Sequence, residues 1–292
     1  MKNTQSINSK TKIFGILGNP LSHTLSPLLH NGLFQEYDYN GLYLVFESPK
    51  PDSALAGLIS LTNLQACSVT IPHKEWAFRY ADVRDTASEF LQTSNTLVWQ
   101  DGKVHAYNTD GIGAMLAVED VFPNGVTENV LILGSGGSAK GIAFTLLQKN
   151  WPGKIYLAAR NQKESEKIVA SLNGVQPGKA EYIPLSEIYS YRESIGLVIH
   201  TTPVGMKGGP QGSVLQEGFW LEKHVLFDIV YNPMQTEMVA HAQSRGVKII
   251  PGYAMLFYQG IEQFYLFTGI HIDAARMQKA RSWLLQELEK KN

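Results

Sequence analysis

The segment NVLILGSGGSAKGIAFTLLQ, residues 129–148, constrains the fold more than any other stretch of the chain. An apolar run enters a glycine turn, and a helical pattern follows at once. Gly134, Gly136 and Ala139 stand in G-x-G-x-x-A spacing directly behind the strand. Each of the three meets a need of the backbone. Gly134 permits the tight turn, Gly136 lets a pyrophosphate approach, and Ala139 lets helix and strand pack closely. The helix start then turns free N–H groups and a partial positive charge toward the phosphates. The spacing alone also serves a strand–helix turn that binds nothing, so its context decides. KIYLAAR, AEYIP, LVIHTTP, VLFDIVY and VKIIPG read as further short strands, with KESEKIVASL and TEMVAHAQSRG as helices among them. Residues from about 130 to 251 therefore predict a doubly wound, Rossmann-type domain that binds a dinucleotide.

The tip of the second strand of that domain chooses between dinucleotides. An acidic residue there binds the 2′-OH of NAD, whereas a basic one accepts the 2′-phosphate of NADP. Here the chain reads AARNQKES, with Arg160 and Lys163 present and no acid before Glu164. This favours NADP and leaves NAD possible, since Arg160 also suits a solvated loop.

The first part of the chain is organised differently. KIFGILG, GLYLVFE and ACSVT read as strands, with SPLLHNGLFQEY and SALAGLISL (53–61) as helices between them. Ser26 is a good helix cap and Pro27 suits a first turn. Alternation of strand and helix predicts parallel pairing, but Asp101-Gly102 is a two-residue hairpin turn between NTLVWQ and KVHAYN. The sheet is therefore expected to be mixed. The overall expectation is an α/β chain of two domains: 1–112 for substrate, 113–251 for the nucleotide, and closing helices over 252–292 that return to the first.

Composition narrows the partners. Across 292 residues the formal net charge is −1, which gives no general attraction for nucleic acid or an anionic membrane. No apolar run reaches the ~20 residues of a membrane span, and the polar start MKNTQSINSKTK has no signal-peptide core. The single cysteine, Cys67, leaves no internal disulfide and fits a reducing cytoplasm. No metal site is expected.

Four loops outside the nucleotide domain gather polar groups: GNPLSHTLSP, SVTIPHKE, SNTL and NTDG. They hold the hydroxyls of Thr24, Ser26 and Thr70, the amine of Lys74, the amides of Asn95 and Asn108, and the carboxylate of Asp110. Such a set suits a small polyhydroxylated ligand that carries a carboxylate. Each residue also has a plainer use: Lys74 as a solvated charge, Ser26 and Asp110 as helix caps, Asn95 and Asn108 as strand ends.

In this order, and followed by GSGGSAKG, YNPMQT and GYAMLFYQG, the loops resemble the shikimate dehydrogenase family over nearly the whole chain. The resemblance implies reversible reduction of 3-dehydroshikimate to shikimate with NADPH in aromatic (chorismate) biosynthesis, by a monomer or homodimer. It also implies a substrate cleft between the two domains. Carried over by motif, Thr24, Ser26 and Thr70 would hold the substrate carboxylate, and Lys74 and Asp110 would form the catalytic acid–base pair. Asn95, Tyr231 and Gln259 would meet the rest of the substrate. Gly134, Gly136, Gly137, Ser138 and Ala139 would carry the pyrophosphate, Arg160 and Lys163 the adenosine end, and Thr202 and Met255 the remainder of the cofactor.

The chain departs from the family pattern at several points. Thr24 stands where Ser is usual, Ser68 where Asn is usual, and Ala254 where Gly is common. QTSNT replaces G-A-V-N-T, and of the cofactor signature N-R-T-x-x-R only Arg160 keeps its place. These changes leave room for NAD as cofactor and for quinate as substrate.

Overall fold

The computed structural model describes residues 7–53, 57, 63–123 and 128–291. The helix expected over 53–61 lies outside the described residues except for Ser53 and Gly57. The chain divides into two compact units, one of residues up to Thr109 together with Gln259–Lys291, the other of Asp110–Tyr258.

The first unit is built on a six-stranded mixed sheet. Its strands are β1 (Lys12–Gly18), β2 (Gly41–Glu47), β3 (Leu64–Val69), β4 (Val83–Arg84), β5 (Thr96–Gln100) and β6 (Lys103–Tyr107), in the order β2-β1-β3-β5-β6-β4. β1 pairs in parallel with β2 and β3, whereas β5 runs antiparallel to both β3 and β6. The turn between β5 and β6 has φ +52° at Asp101 and +72° at Gly102, the positive angles that close a two-residue hairpin without splaying its strands.

Helices α1 (Ser26–Glu36), α2 (Lys74–Tyr80) and α3 (Thr86–Leu91) belong to this unit. Ser26 is not the cap of α1: Leu25 occupies that position without a side-chain bond, and Ser26 opens the helix with Pro27 behind it. Phe14, Phe34 and Phe264 pack with ring centroids 5.0–5.6 Å apart on one face of the sheet, while Leu17 points to the other face and joins Cys67, Val69 and Leu97 in a second buried cluster.

The second unit begins with α4 (Asp110–Val121). It continues through β7 (Asn129–Leu133), α5 (Gly137–Gln148), β8 (Ile155–Ala158), α6 (Gln162–Val175) and β9 (Ala180–Tyr182). A short α7 (Ile188–Tyr191), β10 (Ile195–His200), β11 (Val225–Asp228), α8 (Glu237–Gln243) and β12 (Lys248–Pro251) complete it. The sheet order β12-β11-β10-β7-β8-β9 is wholly parallel. Counted from β7 it is 3-2-1-4-5-6, the doubly wound arrangement, and its order reverses between β7 and β10. Both central strands are buried on each face, which is why they read as continuous apolar runs rather than alternating ones.

Helix α9 (Tyr253–Thr268) runs across the division at 258/259, and α10 (Ala274–Lys291) lies wholly in the first unit. There α10 packs on α1 at Gly32, where a Cβ would stand 2.4 Å from the Trp283 ring. The expected breaks at 112/113 and 251/252 compare with 109/110 and 258/259 in the structure.

Candidate functional site

In the first unit the polar loops leave the same end of the sheet, and hydrogen bonds fix most of their side chains. β3 stops at Val69, whose N–H donates to the Asn95 carbonyl at 2.7 Å. Thr70 N–H reaches back to Leu17 O, and His73 N–H closes a turn onto Thr70 O. His73 caps no helix by its side chain; its ring nitrogen sits 2.6 Å from Ser48 O, which pins the loop. Lys74 then opens α2, half-buried, and its carbonyl accepts the Ser94 N–H at 2.9 Å. The lysine and Asn95 are thus brought together by backbone bonds.

Asn95 is the centre of this network. Its Nδ2 donates to Thr109 Oγ1 at 2.9 Å and to Gln259 Oε1 at 3.4 Å, while its Oδ1 accepts Thr96 Oγ1–H and Thr109 N–H at 2.8 and 3.0 Å. Thr109 also donates to the Gln259 carbonyl at 3.2 Å. Asn108 differs: its Nδ2 donates to Thr93 O, a strand-end tie rather than a group of this cluster. Thr24 donates to Ser26 Oγ at 3.3 Å, so the two hydroxyls stand side by side at the start of α1.

Beneath the cluster lies a second chain of bonds that sequence reasoning missed. The Tyr43 hydroxyl donates to Ser68 Oγ at 2.7 Å, Ser68 donates to Gln263 Oε1 at 2.9 Å, and Gln263 Nε2 donates to Asn95 O and Thr96 Oγ1. Every donor in this chain has an acceptor, which holds a buried polar group without cost. Ser68, standing where the family has Asn, is therefore an internal link, 3% exposed. Burial pushes the Tyr43 phenol well up, with the bonds to Ser68 and Ser26 opposing. His30 stacks on Tyr43 with centroids 4.4 Å apart, and burial takes its imidazole down to about 3. The signal for Gln263 was present: it lies one helical turn after Gln259, on the same face.

In the second unit a cavity of about 980 Å³ opens at the reversal between β7 and β10. Gly134, Gly136, Arg160, Asn161, Thr201 and Thr202 line it, together with Gln211 and Ser213. Gly134 has φ +127°, and a Cβ there would stand 2.3 Å from Thr201 Oγ1. Gly136 and Gly137 face open space where a Cβ would intrude, and α5 begins at Gly137. A dinucleotide pyrophosphate fits this cradle of bare backbone at a helix N-terminus.

Ala139 is wholly buried and serves packing, and Ser138 lies in the first turn of α5. Asn161 caps α6 by accepting the Glu164 N–H at 3.1 Å, and Glu164 is turned to Lys167 at 3.1 Å. The cavity wall at the tip of β8 therefore carries Arg160 and no acid. Lys163 is exposed on α6 and is not part of the wall, while Met255 is half-buried on α9 and Tyr231 is 39% exposed after β11.

Asp110 opens α4, in the first turn where a helix favours a carboxylate. Gly111 behind it is required by packing: a Cβ there would stand 2.0 Å from Thr145 Oγ1 and 2.7 Å from Gly141 O. Among the described residues, no cluster of His, Cys, Asp or Glu could hold a metal ion, and no helix is long and apolar enough to cross a membrane.

Comparison with known proteins bears on both units. Residues 16–97 match the model of the shikimate dehydrogenase substrate binding domain, and residues 252–280 that of the shikimate 5′-dehydrogenase C-terminal domain. A shikimate dehydrogenase (NADP(+)) of Leptospira interrogans is 44% identical over 97% of this chain and 98% of its own. The fold matches a crystal structure of a shikimate dehydrogenase in complex with NADP+ at TM-score 0.87 and 28% identity, covering 97% of this chain and 98% of that one. It matches shikimate 5-dehydrogenase from Listeria monocytogenes, in complex with shikimate and NAD, at TM-score 0.87 and 25% identity, covering 96% and 99%. The chain belongs to the shikimate dehydrogenase family.

Proposed function

We propose that this chain reversibly reduces 3-dehydroshikimate to shikimate with NADPH, as a cytoplasmic step of aromatic biosynthesis. The observation that carries the proposal is the 44% identity, at nearly full length on both sides, to a protein named shikimate dehydrogenase (NADP(+)). Two features of the chain support it. Bonded pairs of hydroxyls and amides lie at the end of the first sheet where Lys74 opens α2, and a bare glycine cradle with Arg160 and no acid faces the cavity of the second unit.

When bound, the nicotinamide cofactor supplies or takes up the hydride. The side chains then have a proton to manage, because charge builds on the substrate oxygen as hydride moves. Lys74 is proposed to give that proton in the reducing direction and to take it in the other. Asp110 is its proposed carboxylate partner. Thr24, Ser26 and Thr70 are assigned the substrate carboxylate, to which three hydroxyls can donate together. Asn95 and Gln259 are assigned the ring hydroxyls, and their mutual bond fixes them before substrate arrives, which lowers the ordering cost of binding. Arg160 is assigned the 2′-phosphate, which it can meet with two parallel N–H donors.

The test is a comparison of kcat/KM for shikimate and quinate, each with NADP+ and NAD+, followed by nicotinamide absorbance. Shikimate with NADP+ is expected to lead the four pairs. Better turnover with NAD+ would overturn the cofactor assignment, and better turnover of quinate would overturn the substrate.

A further inference from the structure

A buried histidine and aspartate stand behind the cofactor cavity, and none of the roles above uses them. His200 ends β10 and Asp228 ends β11, in register on neighbouring parallel strands, and both are essentially without solvent contact. Asp228 Oδ1 lies 2.9 Å from His200 Nδ1 and accepts the Val230 N–H at 3.0 Å; its Oδ2 accepts the Thr236 hydroxyl at 2.6 Å. Thr236 in turn accepts the Val239 N–H as the cap of α8. A carboxylate has no hydrogen to give, so Nδ1 must be the donor to it. In the neutral ring this leaves Nε2 as an acceptor, and Thr202 Oγ1 lies 2.5 Å from it. The Thr202 hydrogen is thereby committed to the ring, and its oxygen also takes the Val204 N–H at 3.3 Å. Thr202 itself lines the cavity.

We propose that His200 is a positioning residue of the nucleotide site: anchored by Asp228, it fixes the Thr202 hydroxyl so that its oxygen is offered to the cavity as a hydrogen-bond acceptor. The group that meets it is a donor of the dinucleotide, an amide N–H or a ribose hydroxyl. This rests on the assignment of the cavity to NADP. The bonds from the α8 cap through Asp228 and His200 to Thr202 give each of these four side chains a partner. A buried network satisfied in this way holds its end group rigidly.

The test separates the two ends of the imidazole. His200→Asn keeps a group near Nδ1 and loses the reach to Thr202, whereas His200→Gln places an amide oxygen near the position of Nε2. NADP affinity is read by fluorescence titration of the folded proteins, with folding checked by circular dichroism and thermal melting. His200→Asn is expected to weaken NADP binding about three- to tenfold, the size of one neutral hydrogen bond. His200→Gln should stay within about twofold of wild type. Thr202→Val should match His200→Asn, and the double variant His200→Asn/Thr202→Val should be no weaker than either single one, since both remove the same interaction. At saturating NADP, kcat should change by less than about twofold, because the residue acts on binding.

Additive losses in the double variant, or wild-type affinity in Thr202→Val, would overturn the proposal while leaving the cofactor assignment intact. The second result stands even if His200→Asn does not fold. Failure of the wild-type chain to bind NADP would overturn both.

Discussion

The two units build their proposed ligand sites by opposite means. At the glycine cradle the second unit offers backbone: Gly136 and Gly137 leave space, Gly134 adopts φ +127°, and the start of α5 supplies the N–H groups. The cluster of the first unit is made of side chains, and each is held by another. Asn95 alone joins Thr96, Thr109 and Gln259, and the Tyr43–Ser68–Gln263 chain lies directly beneath it. This contrast sets what each surface can discriminate. Exposed backbone suits a pyrophosphate, which every dinucleotide carries, so the choice between NADP and NAD is the role proposed for Arg160 at the rim. Interlocked side chains suit a particular pattern of hydroxyls, the role proposed for this cluster, and they fail together when one is removed.

Removing Asn95 should break the side-chain network most. Asn95→Ala leaves the buried Thr109 N–H without its acceptor and takes one bond each from the Thr96 and Thr109 hydroxyls, which keep Gln263 Nε2 and Gln259 O as partners. The orphaned N–H costs about 1–3 kcal/mol and the lost bonds add to it, so a loss of about 3 kcal/mol in stability is expected by urea denaturation. A loss below about 1 kcal/mol would show that the cluster is not interlocked.

On the backbone side, Arg160→Ala should raise KM for NADP+ about tenfold and leave KM for NAD+ within about twofold, as loss of one exposed charged contact predicts. Equal effects on the two cofactors would remove Arg160 from the 2′-phosphate.

The smallest effect concerns acid. His30, with its folded-state pKa near 3, is neutral in the native protein across the range in which an unfolded histidine, near 6.5, takes up a proton. The unfolded state therefore binds more protons below pH 6.5, and native stability falls as pH drops from there toward 3. One such group contributes up to about 1.4 kcal/mol per pH unit in that window. His30→Phe keeps the stack on Tyr43 and should flatten stability between pH 6.5 and 5 by about 1 kcal/mol per unit. An unchanged slope would place the acid sensitivity elsewhere.

Much of the fold was legible because its signals are local. The G-x-G-x-x-A turn, the apolar runs of the parallel strands and the Asp101-Gly102 hairpin each state a backbone requirement within a few residues. Thr24, Asn95 and Gln259 were singled out by motif. Their partners were not, because Tyr43, Ser68 and Gln263 are far apart in sequence and meet only through folding. Ser26 illustrates the converse: its local chemistry suits a cap, yet Leu25 takes that place and Ser26 is bonded to Thr24. His200 and Asp228 sit within strand runs whose apolar neighbours gave no hint of a polar pair.

The proposed division of labour gives chemistry to Lys74 in the first unit and cofactor holding to the second. Lys74→Ala separates the two with a pair of readings on one protein, kcat for shikimate oxidation and Kd for NADP+. If the division holds, kcat falls about 10²- to 10⁴-fold, the usual contribution of a general acid or base, while Kd stays within about twofold. An unchanged kcat would refute it.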